Sequence, residues 1–166
     1  SGNHLLELIN NLLDISKIDT GALYLNSRRF SLSDMIENVR RMFSVQMSKK
    51  GISVSVSLEH ASDSAYGDPM RLKQVLINLV SNAIKYTPQG GSIRIESTQT
   101  PSGSLKVSVI DNGIGIPQEL HSDIFDRYFQ TDKSRDGSIG GSGIGLALAK
   151  QIMTLHGGQI GVMSSP

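Results

Sequence analysis

The chain contains no cysteine and no tryptophan. Without cysteine it has no disulfide, no zinc–thiolate centre and no thiol nucleophile. That lack fits a reducing compartment. Aromatic residues make up only 5% of the chain. No apolar run approaches the roughly 18 residues that a membrane-crossing helix needs. Charge of one sign is lacking too: 16 basic side chains stand against 15 acidic ones, a net charge of +1. A polyanion-binding domain normally carries a basic surplus, so nucleic acid is not an expected partner. The four histidines, His4, His60, His121 and His156, are too few and too scattered for a metal cluster. No secretory leader opens the sequence, and Ser1-Gly2 reads as an expression remnant. The expectation is a cytoplasmic segment without membrane contact of its own, whether or not the full-length protein is membrane-anchored.

What is abundant is glycine. There are 17 in 166 residues, and 13 of them fall between Gly90 and Gly161. Glycine permits positive φ and close backbone approach, so its concentration predicts that this half holds a ligand against the main chain. An apolar fraction of 38% over 166 residues suits one ordinary domain with a short appendage.

Residues 4–18 read as a helix. Leu5, Leu8, Leu12 and Ile15 form a seam at spacings of three and four, and Leu6, Ile9, Leu13 and Ile18 widen it. So apolar a helix needs partners. It is either a core helix of the domain or, as the break at Asp19-Thr20-Gly21 favours, a helix of a separate bundle. Ser31 to Asp34 offers cap residues for a helix through Leu32, Ile36, Val39 and Phe43, stopped by Gly51. Ile52, Val54, Val56 and Leu58 alternate with serines as a half-buried strand. Asp68-Pro69 caps and starts a helix that runs to Tyr86. Strands at 92–98 and 105–111, a helix from Gly143 to Leu155 and the start of a strand at Ile160–Met163 complete the pattern. It predicts an α+β layered domain. Thr131–Gly141 is the one polar, glycine-rich stretch that reads as a flexible loop.

Three constellations stand out. On the helix ending at Tyr86, Asn78, Asn82 and Lys85 share one stripe opposite Leu72, Val75, Leu76, Leu79, Val80 and Ala83. An amide oxygen suits Mg²⁺ and an ammonium suits phosphate; a solvated helix face is the other reading. A strand runs into Asp111, followed by Gly113 and Gly115. There an aspartate can accept from a base amino group, or simply make a turn. Gly140 to Leu146 opens a helix, either as an anion cradle or as a hinge. It matches neither the P-loop, whose lysine is absent, nor the dinucleotide fingerprint. Together the three describe a nucleoside triphosphate site.

With these residues in place, the sequence resembles the catalytic, ATP-binding domain of bacterial two-component sensor histidine kinases, in the superfamily of gyrase B, Hsp90 and MutL. Asn78 to Thr87 is similar to the family's N box, Asp111 to Ile116 to its G1 box, Ile124 to Phe129 to its F box, and Gly141 to Leu146 to its G2 box. The resemblance spans nearly the whole chain. It implies a two-layer α/β sandwich of the Bergerat type, a mixed sheet covered by helices on one face and preceded by one bundle helix. It implies that residues 1–22 are the second helix of the dimerisation and phosphotransfer hairpin, with the first absent. Residues 23–166 would then be the catalytic domain without its last strand.

The resemblance also implies residue roles. Asn82 would coordinate Mg²⁺, Lys85 would contact phosphate, Tyr86 would lie along the nucleotide and Asp111 would accept from the adenine amino group. Gly113, Gly115 and Ile116 would shape the adenine pocket. Gly141, Ser142, Gly143, Ile144, Gly145 and Leu146 would line the phosphate side under a lid at Thr131–Gly141. Phe125 and Phe129 would anchor that lid, and Arg127 would reach phosphate. The superfamily's ATPases resemble one another in a glutamate at position 78. Asn78 cannot serve as a general base, and so implies phosphoryl transfer rather than hydrolysis, with Asn78, Asn82 and Lys85 as the catalytic group. None of the four histidines has the family's phosphoacceptor context, so the acceptor is expected upstream. ATP and Mg²⁺ are the implied cofactors. The implied partners are a response-regulator receiver domain, the phosphoacceptor helix of the same or a sister chain, and a second copy in a homodimer. The alternative is an ATP-driven conformational-clamp ATPase of the same superfamily.

Overall fold

The computed structural model describes all residues except 1, 60–62 and 132–139. Along these residues the order is α1 (Gly2–Asp19), β1 (Arg28–Ser31), α2 (Leu32–Met42), α3 (Ser44–Lys49), β2 (Ser53–Glu59), β3 (Ser64–Gly67), α4 (Pro69–Tyr86), β4 (Ser92–Gln99), β5 (Leu105–Asp111) and α5 (Gly145–Leu155). Single 3-10 turns lie at Gln118–Leu120 and Asp123–Phe125. The chain forms two compact units, Ser27–Gly115 and Ser1–Asn26 with Ile116–Pro166.

In Ser27–Gly115 the period-two pattern of β4 decides the layering. Ile93, Ile95 and Ser97 are buried on one face, while Arg94 and Glu96 on the other pair with each other at 2.5 Å. The sheet order is β2-β4-β5. β2 runs parallel to β4 with Val54 opposite Ile93, and β4 runs antiparallel to β5 with Ile93 opposite Asp111. Ile36 and Val39 of α2 and Leu76, Val80 and Ala83 of α4 close over Ile93 and Ile95 in one core. The mixed sheet with helices on one face is the expected architecture. α4 begins as read: the Asp68 carboxylate accepts from Met70 N at 3.1 Å and Arg71 N at 3.2 Å, with Pro69 at the first turn.

Four expectations need correction, the last of them where α5 starts. The helix expected from Leu32 to Gly51 is two helices. Phe43 leaves helical geometry at φ −100°, ψ 4°, and the Ser44 hydroxyl donates to Arg41 O at 2.9 Å, a local bond that competes with the helix ladder. Strands β1 and β3 form an antiparallel pair that the sequence reading omitted. At four residues each they are too short to show alternation. Their pairing brings Asp63 to the start of α2, where its carboxylate accepts from Ser33 N at 2.7 Å and Ser33 Oγ at 2.9 Å. The strand expected at Ile160–Met163 is irregular backbone, because it pairs with no strand among the described residues.

In the other unit, α1 packs on α5. Ile15 is buried, as are Leu148, Ala149 and Ile152 of α5, while Leu5, Leu6, Ile9, Leu12 and Leu13 of α1 are exposed. α5 starts at Gly145 rather than Gly143, because Gly143 sits at φ +69°, outside helical geometry.

Candidate functional site

In Ser27–Gly115, α4 presents Asn78, Asn82 and Lys85 half-buried, and the Lys85 ammonium stands 5.1 Å from the centre of the Tyr86 ring. The next box is joined directly to the end of that helix. β5 delivers Asp111 exposed, and its Oδ1 accepts from Gly113 N at 2.8 Å, which closes a tight turn. Asn112 fastens the same turn to β4, since its Oδ1 accepts from Ser92 N at 2.8 Å. A side chain at Gly113 would place Cβ 2.5 Å from Tyr86 O, so only glycine lets the turn rest on the helix end. Ile114 N then donates to Tyr86 O at 3.3 Å, and Gly115 takes φ +71°. The structure thus brings Lys85, Tyr86, Asp111, Gly113 and Gly115 into one joint. An aspartate oxygen locked to a backbone amide is oriented, and the carboxylate is an acceptor-only group beside a glycine surface.

In the other unit, Ile116 N donates to Ser164 Oγ at 2.8 Å, and His121 Nε2 lies 3.0 Å from Ile116 O. The half-buried Phe125 ring lies 5.9 Å from the Lys150 ammonium. Tyr128 takes φ 64° and its N–H donates to Gly143 O at 2.8 Å. A Cβ on Gly143 would lie 2.6 Å from Phe129 O. Gln130 Nε2 donates to Gly141 O, and Ile144 N donates to Ser142 Oγ at 3.3 Å. The segment holding Phe125 and Phe129 is therefore tied to the glycine run Gly141–Gly145 by one backbone bond and one bond from the Gln130 side chain. Ile144 is buried; Gly141, Ser142, Gly143, Gly145 and Leu146 are half-buried. α5 opens with no side-chain cap and no acidic residue in its first turn. A helix start without either suits an anion.

Arg127 is engaged elsewhere. Its guanidinium grips Asp19 at the end of α1 with two bonds, 2.6 and 2.8 Å. That hydrogen bonding holds the Asp19 carboxyl below the usual carboxylate range. The sequence carried no signal for this pair, whose members lie 108 residues apart. Most of the expected lid, residues 132–139, lies outside the described residues, as does His60.

These two sets of groups lie where comparison with known proteins is informative. A model of the histidine kinase-, DNA gyrase B- and HSP90-like ATPases matches residues 67–166, and the chain belongs to that family. Within it, the relatives fall on the histidine-kinase side. The chain is 38% identical, over 99% of its length, to the circadian input-output histidine kinase CikA of Synechococcus elongatus. Its backbone matches the crystal structure of full-length ShkA in complex with AMPPNP with a TM-score of 0.88 and 28% identity, over 99% of this chain and 34% of that one. It also matches the histidine kinase ThkA in complex with the response regulator TrrA, with a TM-score of 0.72 and 30% identity over 95% of this chain and 44% of that one. The fold is accordingly the Bergerat-type sandwich. The chain spans between 18% and 22% of the length of three curated relatives.

Proposed function

We propose that the chain is the ATP-binding catalytic module of a sensor histidine kinase. It binds Mg²⁺-ATP and passes the γ-phosphoryl to a histidine outside these 166 residues, for relay to a response-regulator aspartate. The observation that carries this reading is the joint at the end of α4. It sets an oriented carboxylate, Asp111, beside a glycine surface and a lysine–tyrosine pair.

In this reading Asp111 accepts from the adenine amino group, with Gly113, Gly115 and Ile116 as the surface of its pocket. Tyr86 lies along the nucleotide and Lys85 contacts phosphate. The Gly141–Leu146 segment, including Ser142 and Ile144, offers the phosphates backbone amides, with Phe125 and Phe129 as lid anchors. Arg127 contributes to phosphate only after leaving Asp19. Among the described residues no three His, Cys, Asp or Glu side chains converge on a metal position. Mg²⁺ keeps most of its ligands from water and phosphates and takes one or two from the protein. Asn82, a neutral hard oxygen donor on the helix that also carries Lys85, fits that need. The ion would neutralise charge on the transferring phosphoryl.

Phosphoryl transfer asks a protein mainly for positioning and charge stabilisation, which these groups supply. A clamp ATPase needs a base to activate water, and the amide of Asn78 cannot be one. Residues 1–22 are read as the second helix of a phosphotransfer hairpin and 23–166 as the catalytic domain. The exposed leucines of α1 suit packing against a sister helix of the same or a second chain in a homodimer. The structure of ThkA with TrrA supports a receiver domain as partner.

The test is γ-labelled ATP offered with a separate hairpin carrying the acceptor histidine. Acid-labile label on that hairpin is expected. Acid-labile label on residues 1–166 alone would contradict the reading.

A further inference from the structure

The last carbonyls of a helix point beyond the reach of its own amides and need partners from elsewhere. In the final turn of α4 each has one. Ala83 O accepts from Thr87 N at 3.0 Å, and Tyr86 O from Ile114 N at 3.3 Å. Between them, Ile84 O and Lys85 O both accept from the Lys50 ammonium, at 2.7 and 3.2 Å. Lys50 is the residue that follows and caps α3, remote in sequence from every motif of the site. Its own carbonyl accepts from Gly90 N at 2.9 Å, in the loop that follows α4. Lys50 therefore holds the helix end through its side chain and the following loop through its backbone. Its positive charge sits where the helix dipole is negative, and the bonds are charge-assisted.

The turn that Lys50 holds carries Lys85 and Tyr86. It is also the surface on which Gly113 and Ile114 rest, and so the turn that fixes the position of Asp111. A second effect follows from the same geometry. A helix end that lacks partners attracts nearby cations. Lys50 occupies Ile84 O and Lys85 O, and the Lys85 ammonium stands instead 5.1 Å from the centre of the Tyr86 ring.

We propose that Lys50 is a positioning residue of the nucleotide site. Without touching the nucleotide, it holds the end of α4 against the Asp111 turn and keeps Lys85 turned outward. This inference rests on the reading of Asp111 and Lys85 as adenine and phosphate contacts.

The test compares Lys50→Met, which keeps the length without donors or charge, with Lys50→Arg. Titrations of ATP and of adenosine are followed by calorimetry, alongside melting temperature. Losing a charge-assisted bond to the joint should weaken adenosine by roughly tenfold and ATP by at least as much. Lys50→Arg should recover most of both. Adenosine is the decisive ligand. A lysine that acted as a phosphate ligand would leave adenosine binding untouched, and that result, or binding equal to the parent, would overturn the proposal. If Lys50→Met does not fold, amide exchange in Lys50→Arg decides. The Ile114 amide should exchange as slowly as in the parent at neutral pH if a cation at this place secures the joint. Fast exchange at Ile114 in a folded arginine variant that still binds adenosine normally would overturn it. A parent that binds neither ligand would instead defeat the nucleotide reading itself, while Ile114 exchange in Lys50→Met would still show whether Lys50 secures the joint.

Discussion

The two groups of candidate residues, one in each compact unit, are built on different principles. In Ser27–Gly115 the groups that matter are side chains held by regular elements: Asn78, Asn82 and Lys85 on α4, and Asp111 at the end of β5. Their positions derive from a core in which Ile93 and Ile95 are each 1% exposed and Val80 is also 1% exposed. In Ile116–Pro166 the groups belong to the backbone of a glycine run, held where Tyr128 N donates to Gly143 O and Gly143 presses on Phe129 O. Specificity for one base needs a fixed donor–acceptor pair, which in the proposed reading a side chain on a strand end would supply. In the proposed reading a set of phosphate oxygens would be served by main-chain amides at a helix start. The two should therefore respond differently to substitution.

The largest effect should come from Asp111→Asn. Because one oxygen of Asp111 is committed to Gly113 N, the variant's oxygen would stay there. Its NH₂ would then face the adenine amino group, donor against donor. Loss of a charge-assisted bond costs about 1.5–3 kcal/mol, or roughly ten- to hundredfold in affinity for ATP and ADP alike, read by calorimetry.

On the backbone side, side chains should matter little and space should matter much. Gly143→Ala forces a Cβ to 2.6 Å from Phe129 O at φ +69°. It should lower stability by roughly 1–3 kcal/mol and weaken ATP more than adenosine. Ser142→Ala should change ATP affinity by less than about threefold, about the scale of one weak hydrogen bond. Equal effects of these two would erase the contrast between the halves.

Asn82→Ala sharpens the contrast within the first half. It should weaken Mg²⁺-ATP several-fold and leave adenosine within about twofold, since the metal and phosphates account for the difference. An equal loss for adenosine would mean that α4 itself was disturbed.

Asp19→Asn should release Arg127 from α1. If Arg127 serves phosphate, ATP affinity should rise, by about two- to threefold at most for so exposed a pair, and Arg127→Ala should cancel the gain.

The smallest effect concerns Glu37, whose carboxyl is lowered from 4.5 to about 2 by hydrogen bonds from Arg40 and then Arg41. A depressed carboxylate pKa contributes stability that is present above the unfolded value and lost as pH falls through the folded one. Between pH 4.5 and about 2 the parent should therefore lose melting temperature faster than Glu37→Gln. The difference should shrink in salt, since the group is exposed.

Much of this was legible from the sequence because local chemistry dictated it. Asp68-Pro69 fixes where α4 starts, its periodicity fixes which face is buried, and alternation fixes β4. What was not legible depends on distant partners. β1 and β3 exist only because they pair, and Asp63 caps α2 across that pairing. At the break at Phe43 the Ser44 hydroxyl donates to Arg41 O, a local detail that the apolar spacing does not show. The motif glycines suggested close approach to a ligand, yet Gly113 and Gly143 are pressed first against the protein's own backbone, at Tyr86 and Phe129. Lys50 and Asp19 carried no signal, because a lysine after a helix and an aspartate before a turn are ordinary residues until their partners are known.

The central claim is that Asp111 and the end of α4 form an adenine-selective nucleotide site. Its most direct test is a titration of the parent protein with Mg²⁺-ATP and with Mg²⁺-GTP in the same calorimeter. GTP presents a carbonyl where adenine presents its amino group, so it should meet the Asp111 carboxylate acceptor to acceptor. ATP should bind at least about tenfold more tightly, the scale of one charge-assisted bond. Equal affinities for the two would contradict the account.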